Sequence, residues 1–239
     1  MRKGAKAPCR AQFISLNEHR SIKNETDVSS RSLHSFCYAG LMGRRSDHTR
    51  QELERLFVVE GHKHMAEVGF ARFSAREVAK RVGYSIGTLY NVFGTLDQLL
   101  IAINTRTFQL WAEEVRQALE GSGPDRIRCL VEAYFGFARA NPHSWRAIYE
   151  HHLPPDVALT DEQNQRRGDL TQIIVNEVTA VLPAKAQAGA PRLARSLIAV
   201  VHGHCVFDLN GSFALMSIEE PVELALERVR ESLSQAGAA

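Results

Sequence analysis

The 239-residue chain is poor in cysteine, with four residues at positions 9, 37, 129 and 205. None is spaced C-x-x-C, which favours reduced thiols in a cytoplasm over a disulfide framework or a structural zinc site. Long apolar runs are missing too. No stretch approaches the roughly 20 residues that span a bilayer, so no membrane segment is expected. The basic start "MRKGAKAPCRAQ" lacks an apolar core and an A-x-A-like cleavage site, which argues against a secretory signal. Catalytic signatures are absent: there is no G-x-S-x-G, no P-loop, no G-x-G-x-x-G, and no Cys–His pairing with local context. Adjacent carboxylates such as Glu113-Glu114 and Glu219-Glu220 read as solvated helix positions. Nothing calls for an enzyme or a cofactor.

Metal binding fares no better. His62-x-His64 and His202-x-His204 are pairs two residues apart, so on a helix their side chains diverge by about 200° and share no metal. No H-x-x-x-H pairing replaces them. His151-His152, followed by prolines, reads as a helix end where cations suit the dipole.

A one-signed charge is also lacking, since the chain as a whole is only +2. Up to Arg45, nine Lys/Arg stand against three Asp/Glu, a charge of +6, which leaves −4 for the remainder. The body is not a globally basic nucleic-acid binder, and any DNA contact must come from a local patch. Residues 1–45 show no sustained apolar periodicity and read as a disordered basic arm. A second reading stands beside it: Met42 begins "MGRRSDHTRQELERLF", which looks like a natural start followed directly by a helix. The basic stretch before that helix is either a solvated tail or an arm along phosphates or the minor groove.

What is present is helical period and helical punctuation. Leu53, Phe57, Gly61, Met65 and Val68 form one stripe, stopped by Gly69. Ser74 with Glu77 predicts a capping box opening "AREVAKRV", which Gly83 ends. Ser85 caps a short helix that closes at Phe93-Gly94. Thr95 with Gln98 predicts another capping box, launching a long helix to the "GSGP" at 121–124. Further helices are expected near 125–140, 143–152, 161–182, 192–210 and 219–235, punctuated by prolines. The fold class is therefore all-α, with a small front unit over 46–105 and a larger bundle over 106–239.

Helix, tight turn, short helix is the layout of a helix-turn-helix, whose second helix enters the major groove. In "SIGTLYNVFG", Leu89 and Phe93 lie four apart and should face inward onto Val78, Ala79 and Val82. Gly87, Thr88, Tyr90 and Asn91 face outward, with Ile86 at the groove edge. Gly87 allows close backbone approach, Thr88 and Tyr90 offer hydroxyls to phosphates, and Asn91 can pair with a base edge or phosphate. The helix start at Ser85 adds free amides. The segment needs no formal charge because its donors are hydroxyls, amides and a helix terminus.

"FSAREVAKRVGYSIGTLYNVFGTLDQLL" (73–100) resembles the DNA-binding motif of the TetR family of transcriptional regulators. The resemblance covers about residues 50–105 and rests on the capped first helix, the Gly83 turn and the "S-x-G-T-L-Y-x-x-F" helix. It implies a homodimer on double-stranded operator DNA, contacted through Ser74, Arg76, Ser85, Ile86, Gly87, Thr88, Tyr90 and Asn91, and a small-molecule effector that releases a repressor. Three departures stand out. Leu96 replaces a common Lys, Ile86 sits where polar or basic residues are frequent, and Glu60, His62 and His64 occupy positions usually small or apolar.

In the back unit, "FARANPHSWRAIYEH" (137–151) and "LIAVVHGHCVFDLNGSFALM" (197–216) resemble the C-terminal type named for a Trp-His-Gly signature, with Val201 in place of the Trp. Trp111, Phe135, Trp145, Tyr149, His204 and Phe207 are the candidate effector-binding residues. Taken singly each reads as core; as a group they suit a mainly apolar cavity with polar anchors. The last two long helices resemble by position the family's dimerisation pair.

Overall fold

Thr49 starts the first helix with a reciprocal capping box: its hydroxyl accepts from the Glu52 amide at 3.2 Å, and the Glu52 carboxylate accepts from the Thr49 amide at 2.6 Å. The computed structural model describes residues 48–155 and 157–238. The expectations for residues 1–45, the choice between Met1 and Met42, and the cysteines at 9 and 37 lie outside the described residues.

Helix α1 (Arg50–Val68) buries Leu53, Phe57, Gly61 and Met65 and stops at Gly69, whose φ of +75° is readily adopted only by glycine. A 3₁₀ turn over Phe70–Arg72 leads to α2 (Ala75–Val82), and Gly83, in the left-handed region at φ +83°, turns the chain into α3 (Ile86–Phe93). Then follow α4 (Leu96–Glu120), α5 (Arg126–Ala140), α6 (Pro142–Glu150), α7 (Asp161–Val181), α8 (Ala190–Leu209), the single turn α9 (Ser212–Leu215) and α10 (Pro221–Gln235). The fold is all-α, as the sequence predicts, with no strand among the described residues.

Three local expectations need correction. The Ser74 hydroxyl caps α2 by accepting from the Glu77 amide, but Glu77 returns no bond; its carboxylate pairs with Arg81 at 3.3 Å and Lys80 at 3.9 Å. Thr95 likewise caps α4 one way, through the Gln98 amide at 3.2 Å. Glu113 is exposed as expected, yet its neighbour Glu114 is half-buried with an oxygen that has no partner, because successive helical side chains point about 100° apart. Burial pushes the Glu114 carboxyl up to about 7.

Two apolar cores result. The front core joins α1, α2 and α3 to the start of α4 through Leu53, Phe57, Val78, Leu89, Leu99 and Ile103. The back core contains Trp111, Phe135, Phe137, Trp145, Val178 and Leu226. Helix α4 belongs to both, so the expected boundary near residue 105 falls inside one continuous helix. Between front-core Ile103 and back-core Trp111, α4 carries three buried polar residues: Asn104, Thr105 and Thr107.

The unusual α1 residues are accommodated rather than disruptive. His64 accepts the Ser74 backbone N–H at 3.3 Å and lies against Phe73, tying α1 to the start of α2. Glu60 pairs with Lys63 and Arg81. His62 is buried with Nε2 unpartnered, and burial, assisted by Arg106, pushes its pKa down to about 4.

Candidate nucleic-acid interface and the cleft behind it

Helix α3 is amphipathic in the way its spacing requires. Leu89 is fully buried in the front core, with Val78 and Ala79 in the same cluster, and Phe93 meets Phe57 edge-on at 6.2 Å. Ser85, Gly87, Tyr90 and Asn91 are exposed on the other side. Thr88 is half-buried; its amide donates to the Ser85 hydroxyl at 3.0 Å, and the two hydroxyls lie 3.0 Å apart. This pair holds the first turn of α3 in shape. Ile86 is half-buried and packs against the front core, so only part of its side chain faces outward. On α2, Arg76 is exposed, while Ser74 is half-buried and occupied as a cap.

Two contacts escaped the sequence reading. The Arg50 guanidinium donates to the Val92 carbonyl at 2.9 Å, and His48 Nδ1 meets the Tyr84 hydroxyl at 2.7 Å. They fasten the entry of α1 onto α3 and its preceding turn. Their partners are 42 and 36 residues apart, a separation that no local pattern encodes.

Behind this surface, α6 joins the two cores. Its Ala147 is buried in the front core, and the Ala147 carbonyl accepts from Asn104 at 3.2 Å. His143 donates to the Ala66 carbonyl of α1 at 2.9 Å. At the far end, His151 Nε2 lies 3.0 Å from Asp97 in the first turn of α4. The helix-end reading of His151 is therefore right in place, but its partner is a carboxylate of the front unit. The opposite face of α6 borders a cleft of about 230 Å³ shared with α8, lined by Trp145, Arg146, Tyr149, His202 and Leu209 among others.

Residues 59–103 match the family model described as bacterial regulatory proteins, tetR family, and residues 127–232 match the tetracyclin repressor-like C-terminal domain. The chain belongs to the TetR family. Among curated relatives, the HTH-type transcriptional regulator Rv1816 of Mycobacterium tuberculosis is 26% identical over 129 residues, covering 50% of this chain and 55% of that protein. The HTH-type transcriptional activator FasR of Mycolicibacterium smegmatis is 28% identical over 103 residues, 42% of this chain and 47% of its own. The match thus spans about half the length of these relatives. The solved structure of a protein of unknown function from Rhodococcus sp. RHA1 shares the fold, with a TM-score of 0.60 at 19% identity, covering 82% of this chain and 99% of that one.

Against the TetR-family pattern, α3 and its Gly83 turn keep their expected places, and the departure Leu96 stands exposed at the first position of α4. The six candidate effector residues are not brought around one cavity. Trp111 and Phe135 are fully buried, Trp111 stacked on Phe137 with centroids 4.8 Å apart. Trp145 and Tyr149 line the α6–α8 cleft. His204 and Phe207 turn toward Phe213 instead, at 5.8 and 5.6 Å. The residue missed was His202: its Nδ1 lies 3.0 Å from the Tyr134 hydroxyl, which lies 3.1 Å from that of Tyr149. His202 and His204 diverge as their spacing predicts, one toward Tyr134 and the other donating to the Val200 carbonyl.

Proposed function

We propose that the chain is a cytoplasmic, homodimeric DNA-binding repressor that a small-molecule effector releases from its operator. In this reading residues 46–105 form the DNA-binding unit and residues 106–239 the effector-binding and dimerisation unit. Helix α3 enters the major groove. Tyr90, Ser85 and Thr88 bind phosphates, Asn91 addresses a base edge, Gly87 permits close approach, and Ile86 offers its outward methyls to thymine. Arg76 and the Ser74 cap position α2 across the backbone.

The observation that carries the reading is the double allegiance of α6: Ala147 is buried in the front core while Trp145 and Tyr149 line the cleft. An effector that binds the cleft better in one position of α6 shifts the front unit by linkage, and with it the separation of two α3 helices in a dimer. The homodimer is supported by the outward side of α8, where Ser196, Ala199 and Gly203 are exposed, small and helically spaced, and Phe207 is 46% exposed. On α9, Leu215 is 90% exposed, an apolar surface of the sort a second copy covers.

Fluorescence anisotropy on DNA fragments from upstream of the chain's own and neighbouring genes tests the reading, with salt varied. Tyr90→Phe should weaken binding several-fold on every sequence, the loss of about one phosphate hydrogen bond. Asn91→Ala should instead relax preference at one base pair, by about 1–3 kcal/mol. No salt-sensitive complex at low ionic strength with any fragment would refute DNA binding. A reporter fusion separates repression from activation, the role in FasR's name.

A further inference from the structure

Tyr149, Tyr134 and His202 form a three-member relay with two hydrogen bonds, 3.1 and 3.0 Å long. All three members are neutral near pH 7, the phenols by their ordinary acidity, and burial acts in the same direction. It pushes both phenols above their ordinary range and pulls the His202 imidazole below its own. A neutral imidazole has one N–H and one lone pair, and each phenol has one O–H. The relay therefore has two polarities. In one, Tyr149 donates to Tyr134, which donates to Nδ1, leaving Nε2–H as the outward donor. In the other, Nδ1–H donates to Tyr134, which donates to Tyr149, leaving the Tyr149 O–H as the outward donor and Nε2 as an acceptor. His202 Nε2 has no protein partner among the described residues and is not buried. Whichever way the relay runs, the cleft sees one donor and one acceptor, and their order can switch to suit what binds.

The surroundings of these ends are aromatic. The rings of Tyr149 and His202 lie 4.1 Å apart, and Trp145 lies 5.3 Å from the first and 5.1 Å from the second. One cation and one anion border the cleft. Arg146 donates to the Asn210 side chain at 2.9 Å, and Glu150 lines the same cleft. A volume of about 230 Å³ lies below the roughly 300–1,000 Å³ typical of drug-sized ligands, which suits an occupant of one or two rings. A separate aliphatic cavity, which Tyr134 borders, measures only about 40 Å³.

We infer that the α6–α8 cleft binds a neutral, planar one- or two-ring aromatic molecule with a hydrogen-bonding heteroatom, its ring among Trp145, Tyr149 and His202 and its heteroatom on an end of the Tyr149–Tyr134–His202 relay. The inference rests on the effector reading above, and its test separates the two. Isothermal titration of the full chain with 2-naphthol, quinoline, naphthalene, 2-naphthoate and 2-naphthylmethylammonium should show the first two binding at least tenfold more tightly than the other three. Tyr134→Phe keeps the ring but cuts the relay at its centre. It should reduce 2-naphthol affinity about tenfold, leave naphthalene unchanged, and leave the far-UV circular dichroism of the protein unaltered. Should Tyr134→Phe perturb the fold, His202→Gln provides the second arm, with the same loss expected for quinoline. Naphthalene equal to 2-naphthol in the parent chain, or a charged analogue binding best, overturns the assignment. DNA anisotropy distinguishes the two readings. 2-Naphthol bound without change in DNA affinity leaves the site standing and sinks the effector reading; DNA release by some other compound, with no probe bound, does the reverse.

Discussion

His62 is buried on α1, and its pKa of about 4 lies well under the ordinary 6.5. Between those values the unfolded chain takes up a proton that the folded chain refuses. The stability that follows is fully present above pH 6.5 and is lost as pH falls toward 4, by up to about 3 kcal/mol. Glu114 works in the opposite sense. Its carboxyl is held at about 7 against an ordinary 4.5, so its contribution is present below pH 4.5 and lost as pH rises through 7. We expect His62→Leu to flatten the acid limb of the stability profile. Glu114→Gln should gain on the order of 1 kcal/mol at pH 8, discounted for partial exposure, and nothing at pH 4. Urea midpoints from pH 4 to 8 read both, and an unchanged acid limb in His62→Leu would contradict the burial account. His62 stood out in the sequence as a residue where small or apolar ones are usual, whereas the burial of Glu114 was not legible there. The adjacent pair Glu113-Glu114 reads as solvated because sequence shows only neighbours, whereas burial depends on which of two divergent directions meets the bundle.

At the scale of elements, caps and glycines carried most of the signal. Ser74, Ser85 and Thr95 cap where expected, and Gly69, Gly83 and Gly94 stop or turn the chain at φ +75°, +83° and +79°. The half-formed capping boxes show the limit: Glu77 had a better partner in Arg81 one turn on. The four residues of α9 and the 3₁₀ stretch Ala184–Gly189 escaped because neither is long enough to show a period. Gly61 has a separate purpose at the α1–α4 crossing. A Cβ there would stand 2.6 Å from Ile103 Cδ1 and 3.2 Å from its Cγ1, and Ile103 is fully buried. Gly61→Ala gains about 1 kcal/mol of helix propensity but should lose more to overpacking, typically about 1–3 kcal/mol. Adding Ile103→Val removes the offending methyl and should restore part of the loss. Chemical denaturation of both variants checks this; a more stable Gly61→Ala would mean the crossing has slack.

The whole molecule is held together by two elements that ignore the front–back division. Helix α4 runs through both cores, and α6 packs its Ala147 into the front core while Trp145 lies in the back. Cooperative unfolding of both units follows. The chain's two tryptophans, Trp111 and Trp145, are both in the back core, so their fluorescence reports that core alone. Leu89→Ala deletes a fully buried front-core side chain and should cost about 2–5 kcal/mol. Its tryptophan and circular-dichroism midpoints should fall together. A tryptophan midpoint that stays put would show the front unit unfolding independently.

The sequence by itself determined the helices, their stops and the two faces of "SIGTLYNVFG", since these depend on contacts three or four residues apart and on the local demands of caps and turns. Tertiary structure alone decided which distant side chains meet. It split six candidate aromatics and histidines among a core, a cleft and an exposed face. It recruited His202 and Tyr134, 68 residues apart, into one relay, and it placed Arg50 on the carbonyl of Val92. Helix packing sets those meetings through crossing angle and rotation about each axis, and a linear pattern specifies neither.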